Sequence, residues 1–169
     1  MVIQIRVDDR LIHGQVALVW SKELNTPGIV VANDNAVNNK TVGMTLHMAA
    51  PVGIKLLVKT VEDSKKVFND ARGHDMRMFC LVNCVKDAWE LVRDCPGQIL
   101  AVNVANVGRF DGKPISEKHK IVGDGYLTKE DLDAAINLCN TEGLDVFHQI
   151  IPTDPKVDFE QDLRKRNLI

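Results

Sequence analysis

The chain has 169 residues, 45% of them hydrophobic and 26% charged, and its 21 basic and 23 acidic side chains leave a formal net charge of −2. That length fits one domain, residues 1–169, able to bury a core without disulfides or metals, and the charge balance argues against the concentrated basic surface of a nucleic-acid binder. No apolar run approaches the roughly 18 residues of a membrane span, and the start lacks the basic, apolar and cleavage regions of a signal peptide, so a cytoplasmic protein is expected.

In chain order, residues 2–7 form the first strand candidate, and a helix follows with Val16, Val19, Trp20 and Leu24 on one face. A strand over 29–32 leads to a second helix marked by Val42, Leu46, Ala49 and Ala50, and then to a strand over 54–58. Thr60, with Asp63 three residues on, signals a helix start. A strand over 78–82 precedes a helix with Ala88, Leu91, Val92 and Cys95 in register, and a fifth strand covers 99–104.

Residues 105–126, with Gly108, Gly112, Pro114, Gly123 and Gly125, interrupt the alternation and read as a long excursion with little regular structure. Thr128 and Asp131 open another helix, marked by Leu132, Ala135, Ile136 and Cys139, and Gly143 stands where a left-handed C-cap would close it. A strand over 146–151 and a short helix over 158–165 complete the chain. Such alternation predicts a three-layer α/β fold, a mainly parallel open sheet with helices on both faces.

The chemically informative stretch is Arg6-Val-Asp-Asp-Arg-Leu-Ile-His-Gly-Gln-Val16, at the carboxyl end of the first strand, where open parallel sheets bind ligands. A helix beginning near His13 or Gly14 would aim free N–H groups and a partial positive charge at an anion there. Gly14 would let the anion approach, and Gln15 follows it. His13 is the side chain suited to act as a neutral nucleophile near pH 7, and Arg10 can fork two N–H groups onto phosphoryl oxygens. Asp8 or Asp9 can hold the other ring nitrogen or orient Arg10, but both acids cannot face a phosphate, so at least one should point away.

Asn33, Asp34 and Asn83 follow strands and should reach the same sheet edge, as cleft residues or as turn-forming Asx residues. Arg109, Phe110 and Lys113 read better as a solvated loop than as a partner site. His47, His74, His119 and His148 lack metal-ligand spacing, so no metal is expected. The cysteines at 80, 84, 95 and 139 form no CxxC pair and read as reduced thiols, mostly facing the core. Gly123-Asp-Gly-Tyr-Leu-Thr128 lacks the last glycine of a dinucleotide fingerprint, and no P-loop run occurs.

The 6–16 segment, with Trp20 after it, resembles the phosphorylation-site segment of IIB subunits of the bacterial phosphotransferase system, mannose/fructose/sorbose class. Val31-Ala-Asn-Asp34, Ala49-Ala-Pro51 and Pro152-Thr-Asp154 are similar to other stretches of that family, so the likeness runs almost end to end. The resemblance implies a phosphohistidine at His13, supplied by a IIA subunit. The group then passes to a sugar as the membrane subunits IIC and IID translocate it, with no nucleotide, metal or other cofactor. It also implies an antiparallel edge strand and peripheral association with the inner membrane face through IIC and IID; dimerisation stays open. Residues 35–39 are less acidic than the family pattern, and 106–110 stand where a smaller glycine-rich turn is expected; both bear on partner or sugar preference. The alternative reading is a non-catalytic α/β module that binds a phosphorylated metabolite at the first strand–helix junction.

Overall fold

A computed structural model describes all residues, 1–169. In chain order the elements are β1 (Val2–Asp8), α1 (Val16–Glu23), β2 (Gly28–Ala32), α2 (Asp34–Asn38), α3 (Lys40–Ala49), β3 (Lys55–Lys59), α4 (Val61–Phe68), β4 (Met78–Val82) and α5 (Val85–Asp94). There follow β5 (Ala101–Asn106), β6 (His119–Lys120), β7 (Tyr126–Leu127), α6 (Lys129–Cys139), β8 (Asp145–His148), β9 (Val157–Asp158) and α7 (Phe159–Lys165). Seven strands form the main sheet in the order β3-β2-β4-β1-β5-β8-β9, and every pair is parallel except the edge pair β8–β9. The expected α/β architecture and its antiparallel edge strand are both present.

Strand alternation assigns each face. Val30, Cys80, Val82, Val102 and Val104 join a 28-residue core beneath α4, α5, α6 and α7. Ile29, Val31, Phe79 and Leu81 point the other way, into a 10-residue core with Ala17 and Trp20 of α1 and Leu46 of α3. On that second face the apolar surface stops at the centre of the sheet, where β1 presents Gln4, Arg6 and Asp8 and β5 presents Asn103, all buried. Central parallel strands are usually apolar on both faces, so this polar row marks the sheet's working region.

Local signals place most helix starts. The hydroxyls of Thr60 and Thr128 accept from the amides of Asp63 and Asp131 at 3.0 and 3.1 Å, and Asp158 caps α7 through Gln161 N at 2.8 Å. Several expectations need correction. Val19 is exposed on α1, whose buried face runs through Ala17 and Trp20. Asn140 ends α6 in a right-handed conformation, so Gly143 (φ +76) serves the following loop and not the C-cap. The strand expected over 146–151 stops at His148, because Asn103 Oδ1 takes the Gln149 amide at 3.0 Å and the Gln149 side chain folds onto the carbonyls of Pro152 and Asp154. The strand expected over 99–104 lies at Ala101–Asn106.

The 105–126 excursion is more ordered than its composition implies. It finishes β5, makes a short 3-10 turn and closes the β6–β7 hairpin, and it sends Ile121 fully into the larger core, where Leu127, the residue just after the excursion, also lies. Gly108 makes this closure possible, with φ +83 and a position where a Cβ would lie 1.9 Å from the Tyr126 carbonyl oxygen. Gly108→Ala is therefore expected to lower stability by about 2–3 kcal/mol, combining left-handed strain with overpacking. A urea midpoint unchanged from wild type would contradict this account of the loop.

Candidate functional site

β1 runs straight into a tight turn in which the Leu11 amide donates to the Asp8 carbonyl at 2.9 Å and the Asp9 amide to the Asn106 carbonyl at 2.8 Å. Leu11 (φ +56) and Gly14 (φ +50) both take left-handed conformations, so the helix expected near His13 starts only at Val16. A leucine held in that region is strained, and strain of this kind persists where the surroundings impose it. No side chain caps α1. The amides of Val16, Ala17 and Leu18 have no carbonyl four residues back within the helix, so first-turn donors remain free.

Asp8 is the hub of the site and is fully buried. Its Oδ2 accepts from Arg6 Nε at 3.3 Å, Arg6 Nη2 at 3.1 Å and Asn106 Nδ2 at 3.1 Å, and it lies 3.1 Å from His13 Nε2. Oδ1 accepts from the Arg10 amide at 3.2 Å. Burial works to raise this carboxyl, but the Arg6 guanidinium, the Asn106 amide and His13 together outweigh it and hold it below the usual carboxylate range. A carboxylate is an acceptor only, so Nε2 carries the proton and donates, leaving Nδ1 with a free lone pair. The His13 side chain is 17% exposed, open enough to meet an incoming group while its ring is held from behind.

Arg6 fixes the hub in turn. It is 1% exposed, donates Nη1 to the carbonyls of Gln149 and Ile150 at 3.1 and 3.0 Å, and lies over the Trp20 ring at 5.7 Å. Trp20 Nε1 donates to the Ile150 carbonyl at 2.9 Å, so α1, β1 and the segment after β8 lock together. Reading residues 6–16 without the fold assigns no role to Arg6, Asn106, Asn103 or Gln149. The available signal was the polar alternation Gln4-x-Arg6-x-Asp8 in a central strand.

The remaining sequence candidates separate. Arg10 is exposed, and its guanidinium is not engaged by the fold. Asp9 turns away from His13 and accepts from the amides of Gly108 and Arg109 at 2.9 and 3.3 Å, with burial pushing its carboxyl above the usual range. Gly14 and Gln15 line an open cleft of about 460 Å³ with Lys22 and Pro51. Asn33 caps α2 through Ala36 N at 2.9 Å and, with Asn83 and Arg10, lines a separate cavity of about 300 Å³. Asp34 is exposed and accepts from the Val61 amide at 2.9 Å, a structural tie to α4 and not a cleft contact. No group of three or more His, Cys, Asp or Glu side chains is gathered in a way that could hold a metal.

His148 sits behind the site, 6% exposed, with Nδ1 donating to the Val104 carbonyl at 2.8 Å and Cε1 3.0 Å from where a Cβ on Gly123 would lie. Burial lowers its imidazole below the ordinary value of 6.5. The unfolded chain then binds a proton before the folded one, so this group's contribution is complete above about pH 6.5 and fades as pH falls. The slope is at most about 1.4 kcal/mol per pH unit between the two pKa values. Urea midpoints from pH 7 to pH 5 should fall in the wild type and fall less in His148→Gln; parallel slopes would rule the group out.

Comparison with known proteins places these features in context. A family model described as "PTS system sorbose subfamily IIB component" matches residues 2–169. A protein of Streptococcus pyogenes serotype M6 named "Probable phosphotransferase enzyme IIB component" is 52% identical over 161 residues, covering 95% of this chain and 98% of that one. The "PTS system mannose-specific EIIAB component" of Escherichia coli (strain K12) is 32% identical over 152 residues, 90% of this chain and 45% of that protein. Among solved structures, the IIBSor domain of the sorbose permease from Klebsiella pneumoniae superposes with a TM-score of 0.86 at 28% identity, covering 98% of this chain and 97% of that one.

Proposed function

The chain belongs to the sorbose subfamily of phosphotransferase-system IIB components, which carry phosphoryl groups in sugar uptake, and from that premise we propose that His13 Nδ1 is its phosphoryl acceptor. The observation that carries this reading is the 3.1 Å contact between His13 Nε2 and the buried Asp8 carboxylate. That contact sets the tautomer and leaves Nδ1 as the nucleophile. In the acceptor step a P–Nδ1 bond forms as the donor's P–N bond breaks, and the positive charge gained by the ring is balanced by Asp8. The free Arg10 guanidinium and the first-turn amides of α1 neutralise phosphoryl oxygens, the positioning and charge stabilisation that phosphoryl transfer requires.

In this reading residues 1–169 act as one phosphocarrier domain of a histidine-to-sugar phosphotransferase. A IIA phosphohistidine is the donor, a reading supported by the EIIAB name of the mannose-specific relative. The sugar is presented by IIC and IID, and the protein works at the cytoplasmic face of the membrane through those subunits. No helix of its own is long and apolar enough to cross a membrane.

The test is intact-protein mass spectrometry after incubation with phosphoenolpyruvate, the general phosphotransferase proteins and an active IIA. One acid-labile phosphoryl adduct on His13, assigned to Nδ1 by phosphorus and nitrogen NMR, is expected. No adduct from a donor shown to be active overturns the reading, and an Nε2 adduct overturns the assigned tautomer.

A further inference from the structure

The two faces of the sheet are covered by helices of different charge. On one face α4, α5, α6 and α7 each bear two or more acidic residues. On the other, α3 bears none, and residues 35–61 hold Lys40, Lys55 and Lys59 without a single Asp or Glu. Lys22, Lys40 and Lys55 are exposed and enter no ion pair of the fold. A chain of net charge −2 thus keeps uncompensated positive charge around α3.

Large apolar side chains stand among these lysines. Lys40, Met44 and Met48 recur every four residues and so share one face of α3, and Val52 follows in the turn after it. Met44 is 56% exposed, Met48 85%, and Val52 fully. Leu46, buried in the smaller core, pins the opposite side of α3, so the methionines stay on the outside. The stripe ends beside the His13 turn, because Ala49, Pro51 and Val52 line the cleft of about 460 Å³ together with Gly14, Gln15 and Lys22.

We infer that α3 and the turn at 51–53 rest on an anionic phospholipid surface, so that the carrier touches the bilayer itself. Unpaired lysines around exposed apolar side chains are the makings of an interfacial segment. The ammonium groups meet lipid phosphates, while Met44, Met48 and Val52 enter the boundary between headgroups and acyl chains. Methionine is unbranched and flexible, which suits a fluid medium that offers no fixed shape to match. The same anionic surface repels the acidic helices of the other face, so the charge asymmetry selects the side that approaches. No helix is long and apolar enough to cross a membrane, and α3 is held to the core by Leu46, so the contact is shallow and reversible. The contact follows from this surface alone. Its use rests on the phosphocarrier reading: the cleft that Val52 shares with Gly14 and Gln15 brings the His13 turn toward the bilayer.

The experiment is co-sedimentation of the full, unphosphorylated chain with vesicles of phosphatidylglycerol and phosphatidylethanolamine, and with phosphatidylcholine vesicles as the neutral probe. Binding to the anionic vesicles is expected, weakening as salt rises, with far less on the neutral ones. Val52→Asp should lower the partition by more than about tenfold, and Lys40→Gln and Lys55→Gln by about fivefold each. Lys129→Gln, exposed on α6 of the acidic face, should leave it unchanged. All four side chains are exposed, so urea midpoints stay at the wild-type value and a folding defect is recognised at once. Spin-labelled lipid is expected to broaden the amides of Met44, Met48 and Gly53 and to spare α5 and α6. No binding to anionic vesicles, an equal loss in Lys129→Gln, or broadening on another face each overturns the inference. Self-association that Val52→Asp abolishes would overturn it too, by giving the stripe to a second copy. Failure of His13 to accept a phosphoryl group would instead strike the parent reading and leave the vesicle result standing.

Discussion

His13→Gln is expected to leave the fold standing and to lower phosphoryl acceptance by more than about a thousandfold, as removal of a sole nucleophile does. The ring is 17% exposed and makes one hydrogen bond, through Nε2 to Asp8 at 3.1 Å. A glutamine amide can reach the same carboxylate with an N–H, so Arg6, Asp8 and Asn106 keep their arrangement and the urea midpoint should move by less than about 0.5 kcal/mol equivalent. An amide nitrogen has no lone pair available to attack phosphorus, so nothing replaces Nδ1. Time-resolved intact mass with an active IIA donor measures the loss. An adduct at wild-type yield would mean that another residue carries the group.

The parts of this protein that could be read without the fold are those written in short range. The strands show because β2 and β4 are apolar on both faces, as buried parallel strands usually are, and β5 departs from this only at its asparagines. The starts of α4, α6 and α7 show because Thr60, Thr128 and Asp158 bond to amides only three residues on. The His13 turn defeated the same reasoning. Leu11 adopts φ +56, a conformation no leucine advertises, and it delays α1 to Val16. The β6–β7 hairpin has two residues in each strand, too few for any period to register. The hub was partly legible: Asp8 stood out beside His13, but its partner Asn106 lies 98 positions away, and Arg6 is anchored to carbonyls at 149 and 150. Those contacts exist only once β5 and β8 have taken their places in the sheet.

Asp8→Asn should damage both stability and transfer, by about 3–5 kcal/mol and roughly a hundredfold. Arg6, 1% exposed, would lose its counter-charge, and a buried cation left alone is the expensive outcome. Asparagine cannot stand in by rotation. Oδ2 receives Arg6, Asn106 and His13, while Oδ1 receives the Arg10 amide. An amide has one acceptor oxygen, so either flip turns an NH₂ donor against a donor already in place. His13 would also lose the group that fixes its tautomer and balances the charge of the phosphorylated ring. The pH dependence has a definite sign. The Asp8 carboxyl is depressed in the folded state, so its stabilisation is present above about pH 3.9 and is lost as pH falls through the folded value. The deficit of Asp8→Asn should therefore shrink in acid. Chemical denaturation at pH 7 and below pH 4 measures it, and Arg6→Met combined with Asp8→Asn should cost less than the sum of the single changes. Additive costs, or a deficit that grows in acid, would show that Asp8 and Arg6 do not act as a buried pair.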